Sequence, residues 1–230
     1  LPYFELDPEQ NKMKEKYEGA QFPSYVPVVD YHEYSLQDNL PDVIYIHNPY
    51  DDCNRVTSIH PSYYSRELKK YTEELVYVPY FVTSGYYGMD QRILPAYYQM
   101  DHMIVQSEHY KHEADGIFYF DKMLPLGSPK LDRVIRICAE KKELPDEWKK
   151  TLQGKKIVML NTSINQMLFD TRAYLNKLKY VFDCFRERKD VALIWRPHPL
   201  LRASVQSMRP EFSQELEALI HAFQEEKIGI

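Results

Sequence analysis

The chain has 230 residues, 44% of them hydrophobic and 27% charged, with a formal net charge of −5. That is material for one large or two small domains with a substantial core, and it excludes a disordered chain or a repeat array. The charges are mixed along the sequence, which excludes a basic footprint for nucleic acid, and no apolar run approaches the roughly 20 residues of a membrane span.

The three cysteines, Cys53, Cys138 and Cys184, are far apart and lack zinc spacing, which fits reduced thiols better than a disulfide framework. No signal peptide opens the chain, so a soluble, cytoplasmic protein is expected, with peripheral contact at the inner face of a membrane left open. Only 7 glycines occur, and neither a G-x-G-x-x-G fingerprint nor a P-loop is among them, so any phosphate must be held by other means. The 20 tyrosines fall in groups such as Tyr45/Tyr50, Tyr63/Tyr64, Tyr77/Tyr80, Tyr86/Tyr87 and Tyr97/Tyr98. That pattern suits half-buried positions whose polar tip reaches water or a ligand.

In chain order, Leu1–Pro2–Tyr3–Phe4 reads as the exit from a strand that should precede it, and residues 5–24 read as a polar loop or flap. Tyr25–Val29 is a short strand candidate and Asp42–Ile46 a better one, closing on the turn-rich His47–Asn48–Pro49–Tyr50–Asp51. Ser62 to Tyr71 reads as a helix with Ser62 as its cap, followed by a strand over Leu75–Phe81 that Pro79 marks as an edge or an end. A helix near Leu94–Met100, a strand at His102–Gln106, and Ser107 capping Glu108–Asp115 come next. Met123–Leu126 then runs into Gly127–Ser128–Pro129, from which a helix extends through Ile137. A glycine and a serine opening a helix either present backbone N–H groups to an anion or form an ordinary capped start.

The charged stretch 140–153, containing Pro145, reads as a link with one short helix over Asp146–Leu152. Lys156–Leu160 is a strand ending at Asn161–Thr162–Ser163, and Leu175, Leu178, Val181, Phe182 and Phe185 mark a long amphipathic helix. The helix returns the chain to Val191–Ala192–Leu193–Ile194–Trp195, a short run that reads as a buried parallel strand giving way to Arg196–Pro197–His198–Pro199. Leu216, Leu219, Ile220 and Phe223 mark a last helix, and Ile228–Gly229–Ile230 looks like the start of another strand. Strands alternating with helix-length segments argue for βαβ units and parallel sheets, with ligands at the carboxyl ends of the strands. Two clear strands from residue 154 onward make only about half of a doubly wound domain and leave apolar faces uncovered.

The polar residues at these strand ends carry the candidate chemistry. Arg196 and His198 are two apart, so an extended segment can point both the same way, the guanidinium as a phosphate clamp and the imidazole as donor or acid. The alternative is an arginine paired with a neighbouring carboxylate. His47 is either a general base or a structural histidine bonded to Asp51, and His60 reads as structural.

Taken in order, Gly127–Ser128–Pro129–Lys130–Leu131–Asp132, Asn161–Thr162–Ser163 and Trp195–Arg196–Pro197–His198–Pro199 resemble the CDP-glycerol glycerophosphotransferases of teichoic-acid synthesis and their bacterial relatives. His47–Asn48–Pro49–Tyr50–Asp51 and Leu75–Tyr80 resemble the corresponding stretches of those relatives, so the resemblance covers most of the chain. It implies two Rossmann-like lobes of GT-B type: residues 1–126 on the acceptor side, 127–153 as linker and start of the second lobe, and 154–230 as the first half of a nucleotide-donor lobe. It further implies His47 and His198 as catalytic residues, and Arg196, Gly127, Ser128, Asn161, Thr162 and Ser163 around the donor phosphates. The expected partners are a CDP-glycerol-like donor and a polyol-phosphate or glycan acceptor, with no cofactor and no metal. The sequence departs from the family at Ile46–His47–Asn48–Pro49, where the glycerophosphotransferases have Trp-His-Gly-Thr-Pro. The resemblance leaves open a UDP-sugar epimerase or glycosyltransferase of similar architecture, and a non-catalytic α/β module.

Overall fold

The computed structural model describes residues 3–7, 10, 12–16, 22–54, 56–82, 93–226 and 229–230. The chain separates into two compact units, one taking in Met13–Lys142 with the residues up to Glu5, the other Glu143–Ile230 with Leu6–Lys12.

The first unit carries most of β1 (Tyr3–Asp7) and of β2 (Lys12–Lys16), and all of α1 (Leu36–Asn39), β3 (Val43–Ile46), β4 (Thr57–Ile59), α2 (Ser65–Leu68), β5 (Glu74–Tyr77), α3 (Pro95–Gln99), β6 (His102–Ile104), α4 (Glu108–His112), β7 (Met123–Leu124) and α5 (Pro129–Glu140). Strands β3, β5, β6 and β7 form a parallel sheet in that order, with Val43 opposite Glu74, Val76 opposite His102 and Met103 opposite Met123. Sequential parallel neighbours need a crossover at each step, and the short helices between them provide it. The core follows from what those strands and helices bury: Leu75, Tyr77, Ala96, Tyr97, Met100, Met103 and Met123 are all essentially inaccessible. Each large apolar side chain so buried is worth about 1.5–3 kcal/mol.

A second, antiparallel sheet was not legible in the pattern. Part of the stretch 5–24, expected as loop or flap, supplies its strands: the order is β2-β1-β4, with Tyr3 opposite Ile59 and Glu5 opposite Thr57. Lys12–Glu15 are exposed, and a strand solvated on its surface has no apolar alternation to reveal it. Tyr25–Val29, expected as a strand, is irregular. Pro23 accepts from the Val26 N–H at 2.9 Å in a turn, and Pro27 has no N–H to give a ladder.

The helix expected over Ser62–Tyr71 is instead a 3-10 turn at Pro61–Tyr63, the single α-turn of α2, and a second 3-10 turn at Lys69–Tyr71. Ser62 is not its cap: its N–H is received by His60 Nδ1 at 3.3 Å, which gives His60 a local structural role. Asp51 does the capping for α2. Its two carboxylate oxygens accept from the Ser65 N–H at 2.9 Å and the Ser65 hydroxyl at 2.7 Å.

The tyrosine groups split between core and surface. Tyr77, Tyr97 and Tyr119 are fully buried, with ring centroids 5.5 and 4.8 Å apart for the Tyr77–Tyr97 and Tyr97–Tyr119 pairs, whereas Tyr45, Tyr80 and Tyr98 are exposed. Tyr86 and Tyr87 lie outside the described residues.

The second unit carries α6 (Asp146–Leu152), β8 (Lys156–Asn161), α7 (Ile164–Phe169), α8 (Thr171–Arg186), β9 (Val191–Arg196), α9 (Leu201–Met208) and α10 (Ser213–Glu225). β8 and β9 are parallel and paired along their whole length, from Lys156 opposite Val191 to Asn161 opposite Arg196. Gly229 bridges Leu193 in parallel, and Ile230 exchanges backbone bonds of 2.8 and 2.7 Å with Leu193 and Trp195, an isolated bridge beside β9. The core lies on the face that holds Leu193 and Trp195, against Met167, Leu175, Phe182, Leu201 and Phe223. Phe182 sits edge-on to Trp195 at 5.0 Å and tilted to Phe223 at 4.7 Å. On β8, Ile157 and Met159 are 54% and 57% exposed, the uncovered apolar surface expected of so small a sheet. Among the described residues no helix is long and apolar enough to cross a membrane.

Candidate functional site

In the second unit the carboxyl ends of β8 and β9 bring Asn161 opposite Arg196. Side chains alternate along a strand, so with Trp195 turned into the core, Arg196 is turned away from it, and Asn161 shares its side of the pair. Arg196 is exposed and makes no ion pair or side-chain hydrogen bond among the described residues, so the paired-carboxylate alternative has no support there. A guanidinium at a strand terminus, unpaired and beside an amide, is a ready anion clamp.

His198 follows in the turn that leads into α9. The Leu200 N–H donates to its Nδ1 at 3.1 Å, and the Leu201 N–H donates to its carbonyl at 2.9 Å. A backbone N–H can only donate, so Nδ1 must keep its lone pair and the ring proton must sit on Nε2. Partial burial pushes the imidazole pKa below its ordinary 6.5. His198 is therefore a neutral ring whose remaining polar atom is an N–H donor, suited to stabilising negative charge rather than to removing a proton.

Thr162 and Ser163, expected near the donor phosphates, are both engaged in local structure. Thr162 Oγ1 accepts from the Trp195 indole N–H at 3.3 Å, while its own N–H donates to the Arg196 carbonyl at 3.2 Å, tying the two strand ends together. Ser163 caps α7, its Oγ accepting from the Asn165 N–H at 3.2 Å. Of the three loop residues, Asn161 is the one whose side chain makes no bond among the described residues.

In the first unit His47 lies directly after β3 and is exposed. The loop beyond it is held by Asn48 Oδ1, which accepts from the Tyr50 N–H at 2.9 Å, and by the carbonyl of buried Pro49, which accepts from Ala96 N–H at 3.3 Å. Asp51, the expected structural partner of His47, is buried and engaged with Ser65 as described above. Desolvation holds its carboxyl above the usual range.

Gly127 and Ser128 lie past the end of β7, in a small cleft at the carboxyl edge of the parallel sheet, with Val78, Pro79, Phe81 and Gln106 among its lining. All of these residues belong to the first unit. The Gly127 N–H donates to the Val105 carbonyl at 3.1 Å, which anchors the turn to the end of β6. Ser128 is buried and its hydroxyl has no partner among the described residues.

The expected site residues thus fall at strand carboxyl ends in both units: Asn161, Arg196 and His198 in one, His47 and the Gly127–Ser128 turn in the other. Sequence reasoning missed the Leu200 N–H that selects the His198 tautomer. The signal was present as a polar side chain two residues before the N-cap of a helix, the spacing of a side-chain turn. Among the described residues no group of three or more His, Cys, Asp or Glu side chains could hold a metal ion. No family model, curated protein or solved structure matches the chain.

Proposed function

We propose that this chain belongs to a nucleotide-dependent transferase, moving a glycerophosphate or related polyol-phosphate or sugar unit from a CDP-activated donor to an acceptor hydroxyl, with its two units acting as Rossmann-like lobes of GT-B type. The observation that carries the reading is a guanidinium at the end of β9 with no partner among the described residues, Arg196, followed two residues on by a neutral imidazole that can only donate through Nε2, His198. In glycerophosphate transfer the acceptor oxygen bonds to the phosphorus next to the glycerol, the bond to the CMP oxygen breaks, and CMP leaves with the added negative charge. Arg196 and His198 Nε2–H are donors matched to that charge, and Asn161 adds an amide. His47 takes the proton of the attacking hydroxyl as general base.

The test is transfer from CDP-glycerol by the full-length protein and its Arg196→Ala and His198→Ala variants, with calorimetry against CDP-glycerol, CDP-ribitol, CTP and UDP-sugars. Each substitution is expected to lower turnover by about 100-fold or more, the scale of losing one transition-state donor. Heat with UDP-sugars alone would redirect the reading to an epimerase or glycosyltransferase. No heat with any of them would overturn it in favour of a non-catalytic α/β binding module.

A further inference from the structure

We infer that the first unit holds a binding site of its own for a phosphate ester, formed by Ser128, the backbone start of α5 and Lys130. The cleft there has about 20 Å³ of room for water-sized atoms, enough to seat one oxygen. Ser128 lines it. Its residue is 8% exposed, its hydroxyl oxygen has almost no exposed surface and makes no hydrogen bond among the described residues, and it does not cap its own helix. A buried hydroxyl without a bond is costly and rare in a native fold, so the position calls for a partner that the described residues do not supply.

What surrounds that hydroxyl selects the charge of the partner. α5 is 12 residues long with Pro129 at its first position, so the N–H groups of its first turn that need an outside acceptor are those of Lys130 and Leu131. They sit at the positive end of the helix dipole. Lys130 is exposed, and its ammonium has no ion pair among the described residues. Gly127 holds φ at +106°, and a Cβ built on it would meet nothing within 4 Å, so the approach over the turn is open. One oxygen of a phosphate entering the cleft accepts from the Ser128 hydroxyl, while the others remain at the mouth beside the helix start and Lys130. Val78, Pro79 and Phe81 offer a hydrocarbon wall to the carbon portion, which favours an ester over free phosphate.

The resemblance groups Gly127 and Ser128 with the donor phosphates, but this cleft is lined by the first unit alone. Set beside the transfer reaction, the bound ester is the phosphate of the acceptor. That last step rests on the transferase reading, whereas the site itself does not.

The experiment is an NMR titration of the full chain with ethyl phosphate and with inorganic phosphate, following the amides of Ser128, Lys130 and Leu131. Saturable shifts are expected with ethyl phosphate, and weaker binding with inorganic phosphate. Ser128→Ala and Lys130→Gln should each weaken binding about tenfold, the scale of one hydrogen bond to a charged group. Lys130 is exposed, so its variant keeps the test valid should Ser128→Ala fail to fold. Absence of saturable shifts means the hydroxyl is met by a water and overturns the site, as do shifts that neither variant weakens. Equal affinity for inorganic phosphate overturns the ester assignment. If the titration succeeds while no nucleotide donor is turned over, the site stands and the acceptor assignment falls with the transferase reading.

Discussion

The backbone N–H of Leu200 lies 3.1 Å from Nδ1 of His198 and decides which ring nitrogen carries the proton. Protonation of His198 breaks that bond and places a charge in a partly buried turn. Its folded pKa is lowered below 6.5, so as pH falls the unfolded chain takes up a proton that the folded chain resists. The stabilisation is complete above the unfolded value and is lost as pH falls through the folded one. We expect the thermal midpoint to drop between about pH 7 and pH 5. His198→Asn retains an acceptor for Leu200 and should flatten that part of the profile; an unchanged slope in the variant would assign the titration to another group.

Asp51 titrates in the opposite sense. Desolvation raises its carboxyl pKa, so the folded state holds a proton that the unfolded state releases, and its contribution declines as pH rises from 3.8 through the folded value. Its backbone is left-handed, φ +47°, a conformation that asparagine also tolerates. Asp51→Asn removes the buried charge and keeps an acceptor for the Ser65 N–H, so its stability at neutral pH should stay within about 1 kcal/mol of wild type. Asp51→Ala leaves both Ser65 donors unmet and should cost about 1–3 kcal/mol by denaturant unfolding. Equal losses in the two variants would contradict this account.

Phe182 joins α8 to β9 through Trp195 and to α10 through Phe223, and it is 1% exposed. Phe182→Ala should destabilise the second unit by about 3–5 kcal/mol, read as a lower denaturant midpoint and a changed fluorescence of Trp195. A loss below about 1 kcal/mol would mean that the aromatic cluster repacks freely.

Gly127 needs its glycine for backbone reasons. At φ +106° an L side chain is strained even where space is open, so Gly127→Ala should cost about 1–3 kcal/mol in chemical denaturation. A neutral result would show that the turn relaxes to another conformation.

The legible parts of this fold are those written in local patterns. The strands at Val43–Ile46, Lys156–Asn161 and Val191–Arg196 stand out as apolar runs closed by turn residues, and α8 and α10 as apolar stripes at helical spacing. Ser107 was readable as a cap, and its Oγ does accept from the Tyr110 N–H at 3.2 Å. The ribbon of β1 and β2 was not: exposed Lys12–Glu15 shows no apolar alternation, and in half-buried β1 the alternation of Phe4 and Leu6 with Glu5 and Asp7 is only four residues long. Tyr25–Val29 misled for the converse reason: its side chains suit a strand, but its prolines and exposure leave no ladder to join.

From residue order alone came the parallel α/β character and the identity of the polar groups at the strand ends, since periodicity and turn chemistry act over a few neighbouring residues. The sharing of tasks among those groups had to wait for tertiary structure. Thr162 is bound by an indole on another strand, Ser65 is held by a carboxylate from a distant loop, and the buried Ser128 hydroxyl has no partner among the described residues. A side chain's chemistry depends on which donors and acceptors approach it through space, and folding alone brings those together.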